Sequence, residues 1–191
     1  MAKTLMWRMQ GIKAGATKEA VLGYFEESER DRVQVKTLCP SVDNPHRTLT
    51  ATFKYRHEPT SLDHIPGLLD RVRHRLSIDR DFFGFTPLHS PAAVTHDVDI
   101  IAVTGLAGHA IGSWSLQDGQ MWLRDFLPHA TQTARIMTYG YATKLQGPDL
   151  SIATMRDLAE AFRSKLLHMR KRTAQGDQRR VLLFTCRLSK R

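Results

Sequence analysis

Cysteine is scarce in this chain: Cys39 and Cys186 are the only two among 191 residues. They allow at most one disulfide, and neither sits in a Cys-x-x-Cys pair or a Cys/His cluster of zinc-ligand spacing. A disulfide scaffold and a zinc module are thereby excluded, no metal or cofactor is expected, and a reducing, intracellular setting is the natural one. Long apolar runs are missing too. No stretch of about 18 apolar residues occurs, and the opening segment is broken by Arg8, Gln10 and Lys13, so neither a membrane span nor a secretory signal is expected. Peripheral attachment to a membrane or organelle stays open.

Acidic residues are short at one end only. Residues 1–155 hold 17 basic and 16 acidic residues, whereas residues 156–191 hold 11 basic and 3 acidic. The net charge of +9 therefore belongs to the last 36 residues, as Arg156, Arg163, Arg170, Lys171 and Arg172 on an expected helix and Arg179, Arg180, Arg187, Lys190 and Arg191 beyond it. Charge runs of this kind are common on solvated helix faces, so nucleic acid is the weaker expectation.

What is present is enough chain for one medium domain or two small ones. In residues 1–78, Leu5, Trp7 and Met9 alternate with polar neighbours as in a strand, and Thr17 can cap a helix over Lys18 to Glu29. Val33 to Leu38 and Thr48 to Tyr55 alternate again across a turn-forming segment, 40–45. Leu62 to Leu76 has helical spacing despite Pro66 and Gly67, and a short strand follows near Leu76 to Ile78. The order β-α-β-β-α-β is that of a split βαβ, ferredoxin-like domain. In topology it resembles an RNA-recognition motif, which stacks bases on aromatic side chains of its central strands. Here the corresponding positions are Thr48, Thr50, Thr52 and Lys54, and Trp7 shares its stripe with Leu5 and Met9 and is expected in the core.

Residues 79–98 carry Phe82, Phe83 and Phe85 with two prolines, and are expected to form an ordered connector. Residues 99–191 then alternate strand and helix. Val98 to Thr104 is a near-continuous apolar run, as in a parallel strand covered on both faces. Met121 to Leu127 reads as a helix closed by Pro128, Ala134 to Tyr141 as the next strand, and Ser151 onward as the longest helix, with Ile152, Met155, Leu158, Phe162, Leu166 and Met169 on one face. Arg180 to Thr185 reads as a third buried strand. Such a series implies an α/β fold with a parallel sheet.

The run from Asp99 through Thr104-Gly-Leu-Ala-Gly-His109 to Trp114, followed by Trp122 to Pro128 and Ala134 to Tyr141, resembles the start of a lipase-like α/β-hydrolase domain. The similar family is that of serine esterases related to serine-active-site-containing proteins, which in fungi often precede NACHT and ankyrin-repeat regions. The resemblance covers about residues 79–185 and implies an ester or lipid ligand. It also implies that Gly105, Leu106 and Gly108 form an oxyanion loop, with the Leu106 N–H as the donor. The family often has His where this chain has Thr104, a change that leaves a backbone donor intact. His109 is not the expected base, because the triad histidine of this topology follows the nucleophile in the chain. His89, His96, His129 and His168 mark no site by spacing.

After Phe184 the family continues into a nucleophile elbow of the type His-Ser-Leu-Gly-Gly. This chain reads Thr185-Cys-Arg-Leu-Ser-Lys-Arg191, with Arg187 on the nucleophile position and no flanking glycines for Ser189. Cys186 has no later histidine to activate it. No catalytic residue is therefore assigned. The expectation is the first half of an α/β-hydrolase domain, inactive alone, whose last residues derive from a truncated or shifted reading frame. An open apolar sheet edge, with self-association through it, is expected as well. The alternative class is an RNA- or anionic-surface-binding module using the split βαβ unit and the basic C-terminal helix.

Overall fold

The computed structural model describes residues 6–57, 65–91, 97–106, 108–116, 118–142, 154–173 and 180–185. The chain divides into two compact units, Met1–Arg80 with Gln117–Gly119, and Asp81–Leu116 with Gln120–Arg191. Each contains one four-stranded sheet, antiparallel in the first and mixed in the second. No helix among the described residues is long and apolar enough to cross a membrane.

The first unit runs β1 (Trp7–Lys13), α1 (Lys18–Leu22), α2 (Glu27–Arg30), β2 (Val33–Pro40), β3 (Thr48–Tyr55), α3 (Asp70–Arg73) and β4 (Ser77–Asp79). The sheet order is β2-β3-β1-β4 with every pair antiparallel, the order of a split βαβ unit. A bulge between Gln10 and Ile12, where Gly11 takes φ +87°, resets the alternation so that Trp7, Met9 and Ile12 all face the core. Phe53 is its centre, with Phe25 edge-on at 5.5 Å and Trp7 stacked at 6.3 Å. Trp7 is thus a core residue.

The helices are shorter than the sequence implies. Thr17 caps α1 by accepting from the Ala20 N–H (3.2 Å), but the helix ends at Leu22. The reason is Phe25, fully buried, whose neighbours join a second segment through Glu26 N–H to Gly67 O (2.7 Å) and Leu69 N–H to Tyr24 O (3.0 Å). A continuous helix to Glu29 would consume those groups internally. The same ladder confines the helix expected over Leu62–Leu76 to four residues; Leu62 lies outside the described residues.

The second unit runs β5 (Gly84–His89), β6 (Val98–Val103), α4 (Trp122–Asp125), α5 (Leu127–Ala130), β7 (Ala134–Gly140), α6 (Met155–Thr173) and β8 (Arg180–Thr185). Its sheet order is β5-β7-β6-β8. Three of these strands are the expected parallel set. The fourth corrects the connector: residues 84–89 pair antiparallel with β7, and Thr86 and Leu88 are buried. Pro87 is tolerated because β5 is an edge strand among the described residues. Pro128 likewise does not close a helix; it sits in the first turn of α5, where a missing N–H costs nothing.

In α6 the inward stripe is Leu158, Phe162, Leu166 and Met169, whereas Met155 is exposed. Ser151 and Ile152 lie outside the described residues; Thr154 and Asp157 cap the helix reciprocally, at 2.7 and 3.2 Å. Strand β8 is not buried as expected: it pairs with β6 alone, and Leu182, Leu183 and Phe184 stand 40–52% exposed.

Asp99 of β6 and Arg135 of β7 are direct partners and form a bidentate pair, 2.7 and 3.0 Å, with the Arg135 Nη2 also donating to Met169 Sδ at 3.3 Å. Both side chains are almost wholly buried. Removing one partner strands a charge in the interior. Asp99→Asn or Arg135→Gln should cost about 3–5 kcal/mol in urea unfolding, while the double change Asp99→Leu with Arg135→Met should cost less than either.

Candidate functional site

The parallel strands reach the order β7-β6-β8, so the chain leaves β6 in one direction and returns across it in the other. Register places Arg135 and Phe184 on opposite faces of the sheet, and each meets a different helix: Arg135 meets Met169 of α6, and Phe184 meets Trp122 of α4 at 5.8 Å. The carboxyl ends of β6 and β8 therefore flank a topological switch point, where open α/β sheets bind ligands. The loop leaving β6 there is Thr104-Gly105-Leu106, continuing at Gly108.

This loop is held from three sides. The Thr104 N–H donates to Tyr139 O (3.1 Å), the Tyr141 hydroxyl donates to Thr104 O (2.9 Å), and the Gly108 N–H donates to Gly105 O (2.9 Å). The buried Thr104 hydroxyl lies 3.1 Å from Ser113 Oγ. A Cβ at Gly108 would collide with Thr104 Oγ1 and stand 2.7 Å from Ser113 Oγ and 2.9 Å from Gly105 O. Glycine is thus a steric requirement there, a stronger statement than a glycine pattern permits. A Cβ at Gly140 would likewise collide with Phe82 O.

No hydrogen bond among the described residues engages the Leu106 N–H, and the residue is half-buried. A fixed, partly desolvated amide of this kind can donate to an anionic or strongly polarised oxygen. Ala107 lies outside the described residues.

His109 has a different task. Its Nδ1 accepts from the N–H groups of Ile111 (3.2 Å) and Gly112 (3.1 Å), capping the turn that follows, and its ring meets Phe82 edge-on at 5.4 Å. Burial raises the pKa of both Tyr139 and Tyr141, with the neighbouring Tyr141 adding to the shift at Tyr139, so both hydroxyls stay protonated and Tyr141 remains a donor. Sequence reading treated both tyrosines as packing. The signal that could have singled out Tyr141 was its place just past the end of a buried strand, beside a loop that needs a carbonyl partner.

Gly105, Leu106 and Gly108 lie together as one loop. Cys186, Arg187 and Ser189, like His96, lie outside the described residues. No group of three or more His, Cys, Asp or Glu able to hold a metal occurs among the described residues. Comparison of the chain with protein-family models, curated proteins and solved structures finds no match.

Gly108→Ala should displace the loop, breaking the Thr104–Ser113 contact and destabilising the second unit by about 1–3 kcal/mol in thermal unfolding. A pH dependence should come from His89. Its pKa is lowered by burial and then by His129, and its buried Nε2 has no hydrogen-bond partner. The folded state favours neutral His89, so its stabilisation is present above the unfolded value of about 6.5 and is lost as pH falls through that value toward the folded one. Melting temperature should drop between pH 7 and pH 5, and His89→Leu should flatten that slope.

Proposed function

We propose that residues 81–185 form the leading strands and oxyanion loop of a lipase-like α/β-hydrolase sheet, in a chain that does not itself hydrolyse esters. The single observation that carries this reading is where the loop lies: a sterically demanded glycine turn with an unengaged N–H, at the carboxyl end of β6, beside the switch point. An antiparallel strand beside β7, followed by β6 and then β8, is also the way an α/β-hydrolase sheet begins. The ligand this reading implies is an ester or lipid whose carbonyl oxygen becomes negative in the tetrahedral state. There the Leu106 N–H would donate, an interaction worth about 3 kcal/mol when pre-oriented.

Turnover needs a nucleophile with an activating base, and the sequence after Phe184 offers no elbow for one. His109 cannot serve through Nδ1, which is committed to two backbone donors. The chain accordingly acts as a binding or regulatory piece. The competing class, RNA binding by the first unit, is disfavoured by the sheet face opposite the aromatic core. That face is polar, yet Arg8, Thr37, Thr50 and Thr52 on it are buried, with Thr37 bonded to Thr52 at 2.7 Å and Arg8 to Asp79 at 2.9 Å. It presents no aromatic platform for bases.

Butylphosphonate, a tetrahedral oxyanion mimic, should shift the Leu106 amide resonance of the full chain, while a short-chain nitrophenyl ester should turn over no faster than in buffer. An unmoved Leu106 resonance would defeat the oxyanion-loop reading. Ester turnover abolished by a single change at Ser189, Cys186 or His109 would instead show that the chain is an enzyme.

A further inference from the structure

Strand β8 combines two features that seldom coexist. It is an edge strand, hydrogen-bonded to β6 on one side and to no other strand among the described residues. It is also apolar on both faces: Leu183 is 52% exposed on the α6 side, and Leu182 and Phe184 are 50% and 40% exposed on the α4 side. Edge strands are ordinarily blunted by charge, proline or a bulge, and β8 shows none of these between Val181 and Thr185. The α4 side is extended into a shelf by Trp122, 38% exposed and edge-on to Phe184, and by Trp114 edge-on to Trp122 at 6.2 Å. A strand added at this edge would bury side chains on both of its faces.

Charge selects the kind of strand. In sequence, β8 is bracketed by Arg179 and Arg180 before it and Arg187, Lys190 and Arg191 after it, within a segment holding 11 basic and 3 acidic residues. On α6, Arg156, Arg163 and Lys171 are exposed. A second copy of the chain would bring the same basic flanks to the edge, and like charges placed opposite one another oppose pairing. An incoming segment with acidic flanks meets the opposite sign at both ends.

We propose that the β8 edge is a docking site for an extended apolar segment flanked by acidic residues, which joins the sheet as a fifth strand. Main-chain hydrogen bonds supply affinity, Leu182, Leu183, Phe184 and Trp122 receive its alternate side chains, and the basic flanks fix which segments are accepted. The inference stands on the edge and its charge, and holds whether or not the Leu106 loop binds an oxyanion.

The test uses the full chain and a fluorescein-labelled nonapeptide of five alternating valine and threonine residues between two pairs of glutamates. Two controls are the same peptide with lysine flanks and the acidic one with a central proline. Anisotropy at 50 mM salt should show the acidic peptide binding at least about tenfold more tightly than either control, with the advantage over the lysine peptide shrinking at 500 mM. Leu183→Thr, a polar change at an exposed position that keeps strand propensity, should weaken binding several-fold without changing the melting temperature. Equal affinity for acidic and lysine flanks, or for the proline peptide, would overturn the proposal. It would equally be overturned if the acidic peptide fails to bind while Leu183→Thr abolishes either a dimer seen by light scattering or attachment to phosphatidylserine vesicles. The edge would then serve a second copy or a lipid surface.

Discussion

The buried pair of Asp99 and Arg135 is the constraint on which the second unit depends. All seven residues of β7 are buried, and the middle of β6 is buried on both faces. In a half-solvated strand, a slip of register is punished because it turns apolar side chains to water. A strand buried on both faces loses that safeguard, since Ile100, Ile101 and Ala102 would find apolar neighbours in several registers. One bidentate ion pair between directly opposed residues removes the ambiguity: any other register would leave two charges unpaired in the interior.

The pairing decides what happens at the strand ends. With Asp99 against Arg135, Val103 falls against Tyr139, and the next N–H, that of Thr104, reaches Tyr139 O. Gly140 then passes close to Phe82 and Ala110, and Tyr141 is delivered to the Thr104 carbonyl. The loop geometry at Gly105 and Leu106 is therefore inherited from a salt bridge near the opposite end of the same two strands. Met169 of α6 touches the pair as well, so the helix that leads to β8 is tied to the same point. Loop, helix and edge strand share one anchor.

The sequence revealed most clearly what depends on local periodicity. Alternation in Thr48–Tyr55 identified β3 and its inward face, and the apolar run at Val98–Val103 identified a doubly covered parallel strand. Thr17 was legible as a cap because capping is a local bond. What stayed hidden was decided by partners distant in sequence. Gly84–His89 is a strand only because β7 offers an edge to it, and its Pro87 reads as a breaker to any local rule. The helix expected to reach Glu29 is cut short by Gly67 and Leu69, some forty residues on. At the candidate site the glycines were visible, but the collision that makes Gly108 obligatory involves Ser113 on the next turn. The capping role of His109 likewise needs the backbone of Ile111 and Gly112 folded toward it.

The two sheets distribute polarity in opposite ways, and the contrast bears on what each can do. In the first, threonine and arginine side chains on the polar face are buried and mutually satisfied, Thr37 with Thr52 and Ser41 with Thr50 at 2.9 Å. Polar groups so paired gain little from a new partner, because any bond they make to it must replace one already present. In the second, the exposed part of the sheet is apolar, and water is the only competitor for it among the described residues. Each square ångström covered there is worth about 25 cal/mol, with no bond to break first. Free energy for association is thus concentrated at β8, at the other end of the sheet from β5. The basic residues that bracket β8 in the sequence then supply what apolar burial cannot, a means of choosing between partners of similar shape.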